Sequence, residues 1–366
     1  MFSTLLALAI ALILVEVAVR LLGLGPPERG PNNRLPLKVG VPASTAPLLQ
    51  TALRPGAAGE VLYPSHGDQP DRVVEYRINA DGCRDREESD AIPKPEGVCR
   101  IACLGDSVTY GTGVALEDTL PKQLERALAD VGNECRVEVL NCGIYAHNTS
   151  QEVAWFEFNV RRFEPDLVLV VANLNDASGR NLPAMERETD AAMQWIHRLG
   201  LTSGVWDEGE RPDDERVART MALRRASHLA DLVAHHLYLR LRSRTERGSF
   251  MLDWRPGSPG EQLVDRSLAR LAAYAAEDGF TVEVGLYPNL EQLDDYPYAA
   301  ITDVLRDVCD RNEIGFRDLL EPLVGLDAYA LRAHPHDHHP NARAHGLVAE
   351  WWSERLSPSI DCGETR

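Results

Sequence analysis

No CxxC pair occurs among the seven cysteines of this 366-residue chain: Cys83, Cys99, Cys103, Cys135, Cys142, Cys309 and Cys362. That absence argues against a zinc ribbon or a thioredoxin-type redox site. Basic residues are few: 38 Lys and Arg stand against 56 Asp and Glu, a net charge of −18. With nothing basic dominating, nucleic acid is not expected as a partner. The short run Arg240 to Arg247 reads as a solvated helix face or helix end. Internal repeats are lacking. A small-x-small cleavage site is lacking too after the apolar run Phe2 to Leu24, which is followed by Gly25-Pro-Pro-Glu-Arg29.

That run is about long enough to cross a bilayer. Without a cleavage site it reads as an uncleaved membrane anchor, residues 1–24, rather than a removed signal peptide. Glu16 and Arg20 interrupt it four residues apart, a spacing at which they pair on one helix face. A buried amphipathic helix is the alternative. Arg20, Arg29, Arg34 and Lys38 would place the following domain in the cytoplasm by the positive-inside bias, but long domains translocate largely regardless of it.

The rest of the chain is built to fold: 44% of residues are hydrophobic and 26% charged, the balance of a globular core. Residues 25–72, rich in Pro, Gly and small polar residues, read as a linker with little core of its own. From Val73 a strand runs to a turn at Asp81-Gly82. Strands are expected at 99–104, 136–140, 166–172, 281–287 and 313–317. Helices are expected at 119–130, 150–161, 216–244, 261–277, 297–312 and 342–355. Strands spaced by helices imply a mainly parallel sheet covered on both faces, a three-layer α/β/α domain over 73–361. Residues 179–260, with Trp195, Trp206 and many acids near their start, read as an insertion. Cys99 and Cys135 begin similar apolar runs, so a disulfide is conceivable if those strands are neighbours. Cys103, Cys142 and Cys309 read as small buried hydrophobes.

Chemistry concentrates where these strands end, beyond which an open parallel sheet binds ligands. Gly105-Asp106-Ser107, with Thr109 and Gly111, follows the first core strand. Its glycines allow a tight turn, and amides around such a turn can face a developing negative charge. Asn141-Cys142-Gly143 follows the second strand and Asn173-Leu174-Asn175-Asp176 the third. His334-Pro-His-Asp-His-His-Pro-Asn341 precedes the last helix. Alone, Gly-Asp-Ser is a turn-forming tripeptide.

Taken in order, these four blocks resemble those of the SGNH (GDSL-type) hydrolases, over roughly residues 73 to 355. The chain also resembles the membrane-anchored bacterial members, which carry an Asn-x-x-Gly-x-Arg segment, here Asn79, Gly82 and Arg84. The resemblance implies a flavodoxin-like SGNH fold behind one membrane helix, with the domain on the extracytoplasmic side against the local charge bias. It implies a metal-independent serine esterase or acyl hydrolase without a cofactor, acting on a small-molecule or carbohydrate ester. Ser107 would be the nucleophile, His339 the base that a weakly nucleophilic hydroxyl needs, and Asp337 the group that orients the imidazole. The N–H groups of Ser107 and Gly143 and the Asn175 amide would hold the oxyanion, with glycine at 143 letting a carbonyl substrate approach.

Two departures stand out. Asn173 replaces the glycine that usually opens the third block, and Asp337 lies two rather than three residues before His339, with His336 at the third. Asp106 reads as a brace of the turn, Asp176 equally as loop brace or site support, Asn141 as a cap or turn residue, His147 as a surface loop residue, and Arg84 as a partner for an acid. Competing readings are an O-acyltransferase acting on a polysaccharide, a metal site built from His334, His336 and His338 with Asp337 or Asp176, and a catalytically dead binding protein.

Overall fold

Five short strands pair into one parallel sheet in the computed structural model. It describes residues 2–22, 37–42, 44–63, 70–86, 92–130, 136–178, 215–335 and 337–356. In chain order the described elements are α1 (Phe2–Leu21), β1 (Lys38–Gly40), β2 (Thr51–Leu53), β3 (Ala58–Tyr63), β4 (Arg72–Arg77), β5 (Val98–Gly105), α2 (Ser107–Tyr110), α3 (Leu120–Asp130), β6 (Arg136–Asn141), α4 (Thr149–Phe158), β7 (Leu167–Ala172), α5 (Glu215–Ala226), α6 (His228–Asp253), α7 (Pro259–Asp278), β8 (Thr281–Leu286), α8 (Ala299–Arg311), β9 (Gly315–Asp318), β10 (Arg332–His334), β11 (Asp337–Pro340) and α9 (Ala342–Leu356).

The chain divides into two compact units, 1–30 with 183–249, and 31–182 with 250–366. In the second, the sheet order is β6-β5-β7-β8-β9, all pairs parallel. This is the doubly wound, flavodoxin-like order, which reverses direction between β5 and β7 and opens a crevice beyond their carboxyl ends. All six residues of β7, Leu-Val-Leu-Val-Val-Ala, are buried, as expected of a parallel strand covered on both faces. Ile101 and Cys103 of β5 join a core with Leu124 of α3 and Trp352 of α9, whereas Ala102 and Leu104 join one with Phe156 of α4, Leu268 of α7 and Leu305 of α8. Those are the two outer layers. Arg100 is tolerated inside β5 because Glu138 sits opposite it in register on β6. The guanidinium donates to Glu138 at 3.0 and 2.8 Å and to the Phe163 carbonyl at 2.7 Å.

Residues 37–63 are not an open linker. They carry β1, β2 and β3, bury Leu37, Leu49, Leu53 and Val61 in the second of these cores, with Phe156 and Leu268, and belong to the same unit as the sheet. β3 and β4 form an antiparallel pair from Ala58↔Arg77 to Tyr63↔Arg72.

The other unit holds α1, α5 and the part of α6 up to Ser249. The helix expected at 216–244 is two helices parted at Ser227. Ser227 Oγ accepts from Ala230 N at 3.0 Å, an N-cap bond that starts a new helix. Glu16 reinforces the break, accepting from Ser227 Oγ at 2.8 Å and Leu229 N at 2.9 Å. The expected Glu16–Arg20 pair is formed at 2.6 Å. Among the described residues no helix is long and apolar enough to cross a membrane, so the anchor expected at 1–24 is not found. Trp195 and Trp206 lie outside the described residues. Cys99 is a free buried thiol, pushed up to about 11 by burial; Cys135 lies outside the described residues. Cys103, Cys142 and Cys309 are buried as expected.

Candidate active site

β5 ends at Gly105, whose φ of +153° suits glycine; a Cβ there would lie 2.1 Å from Thr109 Oγ1 and 3.0 Å from the Val171 carbonyl. Asp106 then caps α2, accepting from Val108 N at 2.9 Å. Ser107 is the first residue of that short helix, where the amide has no intrahelical acceptor. Its Oγ lies 2.8 Å from His339 Nε2.

His339 arrives on β11, which pairs antiparallel with β10. Side chains two apart on a strand share a face, so Asp337 and His339 point the same way and their two-residue spacing serves. Asp337 Oδ1 meets His339 Nδ1 in a short hydrogen bond and also accepts the His339 N–H at 3.2 Å. Burial pulls the imidazolium down, but Asp337, by charge and hydrogen bond, and the charge of Asp106 outweigh it. His339 therefore stands above its ordinary pKa. Asn341 fixes the end of the loop: its amide donates to the Ala330 and Arg332 carbonyls at 2.9 and 3.2 Å, and its Oδ1 caps α9 through Ala344 N at 3.0 Å. His338 is exposed, 3.6 Å from Glu291, and His334 is buried. His336 lies outside the described residues. Among the described residues no three His, Cys, Asp or Glu side chains are grouped to hold a metal ion.

The third block gathers on Asp106. Asn173 and Asn175 donate their amides to its two oxygens at 2.8 and 3.1 Å, so Asp106 braces two loops rather than one. Trp254 Nε1 donates to the Leu174 carbonyl at 2.7 Å and pins the same loop from below. Asp176 takes Thr149 Oγ1 at 3.0 Å on one oxygen. Its other oxygen, and both oxygens of the buried Glu152, have no hydrogen-bond partner. Burial, and the mutual repulsion of these groups and Asp106, push both carboxyls well above their usual range. Asp176 thus supports the loop; its buried side chain does not face an open site.

On the opposite flank, Asn141 Oδ1 accepts from Gly143 N at 3.2 Å, while the Asn141 N–H goes to Asp85 at 2.8 Å. The buried Asp85 is neutralised by Lys122 at 2.8 Å. Glycine at 143 answers to the protein itself: a Cβ would meet Tyr110 N at 2.3 Å and Thr109 C at 2.7 Å. It lets α2 pack on the second block, a different role from the expected approach of substrate.

Two further expectations are corrected. Among the described residues Arg84 pairs with no carboxylate. It is buried, donates to the carbonyls of Tyr110, Gly111 and Val114 at 2.8, 2.6 and 2.7 Å, and stacks 4.3 Å from the Tyr76 ring centroid. Carbonyls left over at the end of α2 offer the acceptors. His147 is no surface residue: it is buried, shares Nε2 with Thr51 Oγ1 and O at 3.2 and 3.1 Å, and burial drives its pKa down to about 3.

Residues 103–347 match the GDSL-like Lipase/Acylhydrolase family. The chain belongs to that family. It is accordingly a hydrolase of ester bonds. No curated protein matches it. Among solved structures it is similar to a putative lipolytic protein of the G-D-S-L family from Desulfitobacterium hafniense DCB-2, with 11% identity and TM-score 0.40 over 70% of this chain and 98% of that one. It is also similar to a catalytic mutant of Axe2, an acetylxylan esterase from Geobacillus stearothermophilus, with 14% identity and TM-score 0.41 over 75% and 100%.

Within this GDSL-like hydrolase, sequence reasoning overlooked Glu152, His345 and Lys38. Glu152 had a signal. It stands directly before Val-Ala-Trp-Phe on α4, a helix buried from Thr149 to Phe156, where a charge has no route to water. His345 is fully buried on α9 with both ring nitrogens unpartnered, 6.1 Å from the Tyr287 ring; burial lowers it to about 3, so it stays neutral. Lys38 lay hidden in the supposed linker.

Proposed function

We propose that this hydrolase cleaves carboxylic esters through an acyl-serine intermediate, without a metal. The bridging of Ser107 Oγ and Asp337 by one imidazole carries the reading. Ser107 Oγ attacks the ester carbonyl while its proton passes to His339 Nε2. Asp337 holds the Nδ1 proton and stabilises the imidazolium. The negative charge on the carbonyl oxygen meets the Ser107 and Gly143 N–H groups and the Asn175 amide. The Gly143 N–H turns to it from a long bond with Asn141, and Asn175 keeps one amide proton beyond that given to Asp106. The alcohol leaves with the proton from His339. Water, deprotonated by the same imidazole, then attacks the acyl-serine and releases the acid.

Ser107→Ala is expected to lower kcat at least about 10⁴-fold on aryl esters. Full turnover by that variant refutes the mechanism, as does loss of wild-type activity with a chelator. A sugar acceptor included in the assay tells hydrolysis from acyl transfer, since transfer yields an acylated sugar in place of free acid. For localisation we propose membrane attachment through α1, supported by the exposed Ile13, Leu14, Leu21 and Leu22, with the catalytic unit extracytoplasmic. Fractionation and protease access on intact cells test both parts.

A further inference from the structure

Lys38 stands out among the cations of this acidic protein. It is half-buried in β1, and its ammonium has no ion-pair partner among the described residues; its contacts are a hydrogen bond to the Tyr145 carbonyl and the Tyr145 ring, 4.3 Å from the centroid. Burial brings its pKa down to about 8, against the pull of Asp106, so its charge is felt at the residue next to the nucleophile. Tyr145 follows Gly143 by two residues. Its ring is half-buried and packs edge-on to Tyr110 at 5.2 Å, and Tyr110 stacks on Tyr76 at 5.5 Å. The Gly143 flank of the site is therefore an aromatic ladder with a cation at its outer rung.

An ammonium has three donors. One is used by the Tyr145 carbonyl, and the ring takes up part of the charge. Desolvating a cation without a carboxylate is costly, in a chain that has 56 acidic residues to offer. A fold that merely tethered β1 to this loop needs no charge to do so.

We propose that Lys38 and Tyr145 form a subsite for an anionic group on the ester substrate, a carboxylate, sulfate or phosphate seated against Lys38 with its carbon skeleton on the Tyr145 ring. The proposal rests on the ester-hydrolase reading. It deepens that reading by naming the substrate class: esters that carry a negative charge close to the scissile bond.

Matched neutral and anionic esters test it: phenyl acetate against 4-acetoxybenzoate for the alcohol side, and 4-nitrophenyl butyrate against 4-nitrophenyl hemisuccinate for the acyl side. The wild type is expected to favour the anionic member of one pair about tenfold in kcat/KM, chiefly through KM, a factor that corresponds to about 1.4 kcal/mol. Lys38→Met brings that ratio to about one, Lys38→Glu inverts it, and Lys38→Arg retains it. The ratio is internal to each variant, so a general loss from misfolding cancels. No anionic preference in the wild type, or a preference that survives Lys38→Met, overturns the proposal. Ser107→Ala run alongside separates its failure from that of the ester reading, because only the latter leaves the alanine variant active.

Discussion

The two flanks of Ser107 both bury carboxylates and neutralise them differently. Under the second block, Asp85 holds the Asn141 N–H and is matched by Lys122, both side chains at most 1% exposed. Under the third block, Asp176 lies beside Glu152; among the described residues no cation pairs with either, and three of their four carboxylate oxygens lack a hydrogen bond. A buried charge needs a counter-charge or a proton. The first flank uses the counter-charge. The second uses the proton, because two neighbouring buried carboxylates cannot both ionise. One brace is thus an ion pair and the other a neutral pair, and they should fail under different insults.

The largest effect should come from Lys122→Met, which leaves Asp85 buried and uncompensated. A loss of about 3–5 kcal/mol is expected in denaturant melts; a loss below 1 kcal/mol would show that the ion pair does not brace the flank. Next is Asn175→Ala, which removes the side chain that the third block presents. It should cost about 10²–10³-fold in kcat with little change in stability, and an unchanged kcat would move the oxyanion elsewhere. Smaller is the acid limb of kcat/KM. His339 must be neutral to accept a proton and its pKa is raised, so activity should fall as pH drops through a value above the ordinary one of about 6.5. A limb at or below that value would contradict the Asp337 and Asp106 influence.

The smallest effect, and the one that contrasts the flanks most directly, is Glu152→Gln. The Glu152 carboxyl is raised in the folded state, so the native protein binds more protons than the unfolded chain between the unfolded and folded values. Wild-type stability should therefore decline as pH rises above the ordinary glutamate range. Glu152→Gln should decline less over the same interval, read by melting temperature from pH 5 to 8. Parallel curves for the two proteins would show that Glu152 is not held protonated.

Much of this was legible beforehand. The apolar runs of β5, β6, β7 and β8 announce buried parallel strands, and their ends carry the blocks that the fold gathers. Asp337 and His339 needed only the alternation of a strand to share a face. Other features were hidden because they depend on partners distant in sequence. His147 looked like a loop residue until Thr51 covered it. Arg84 looked like an acid's partner until the end of α2 and the turn after it offered the carbonyls of Tyr110, Gly111 and Val114. Residues 37–63 looked like a linker because Pro42, Pro47, Pro55, Gly40, Gly56 and Gly59 punctuate them, while Leu37, Leu49 and Val61 are too widely spaced to form a pattern. The break at Ser227 was masked by helical periodicity that continues on both sides of it.

By itself the sequence determined the α/β class, the order of the blocks and the candidate groups for acyl chemistry, since periodicity and residue chemistry are local properties. Only the tertiary structure decided that Asn173 and Asn175 converge on Asp106, that Gly143 makes room for α2, that Asp85 meets Lys122 while Asp176 meets Glu152, and that Lys38 faces Tyr145. Each of these is a contact between segments far apart in the chain, set by how the layers pack, and no local pattern encodes it.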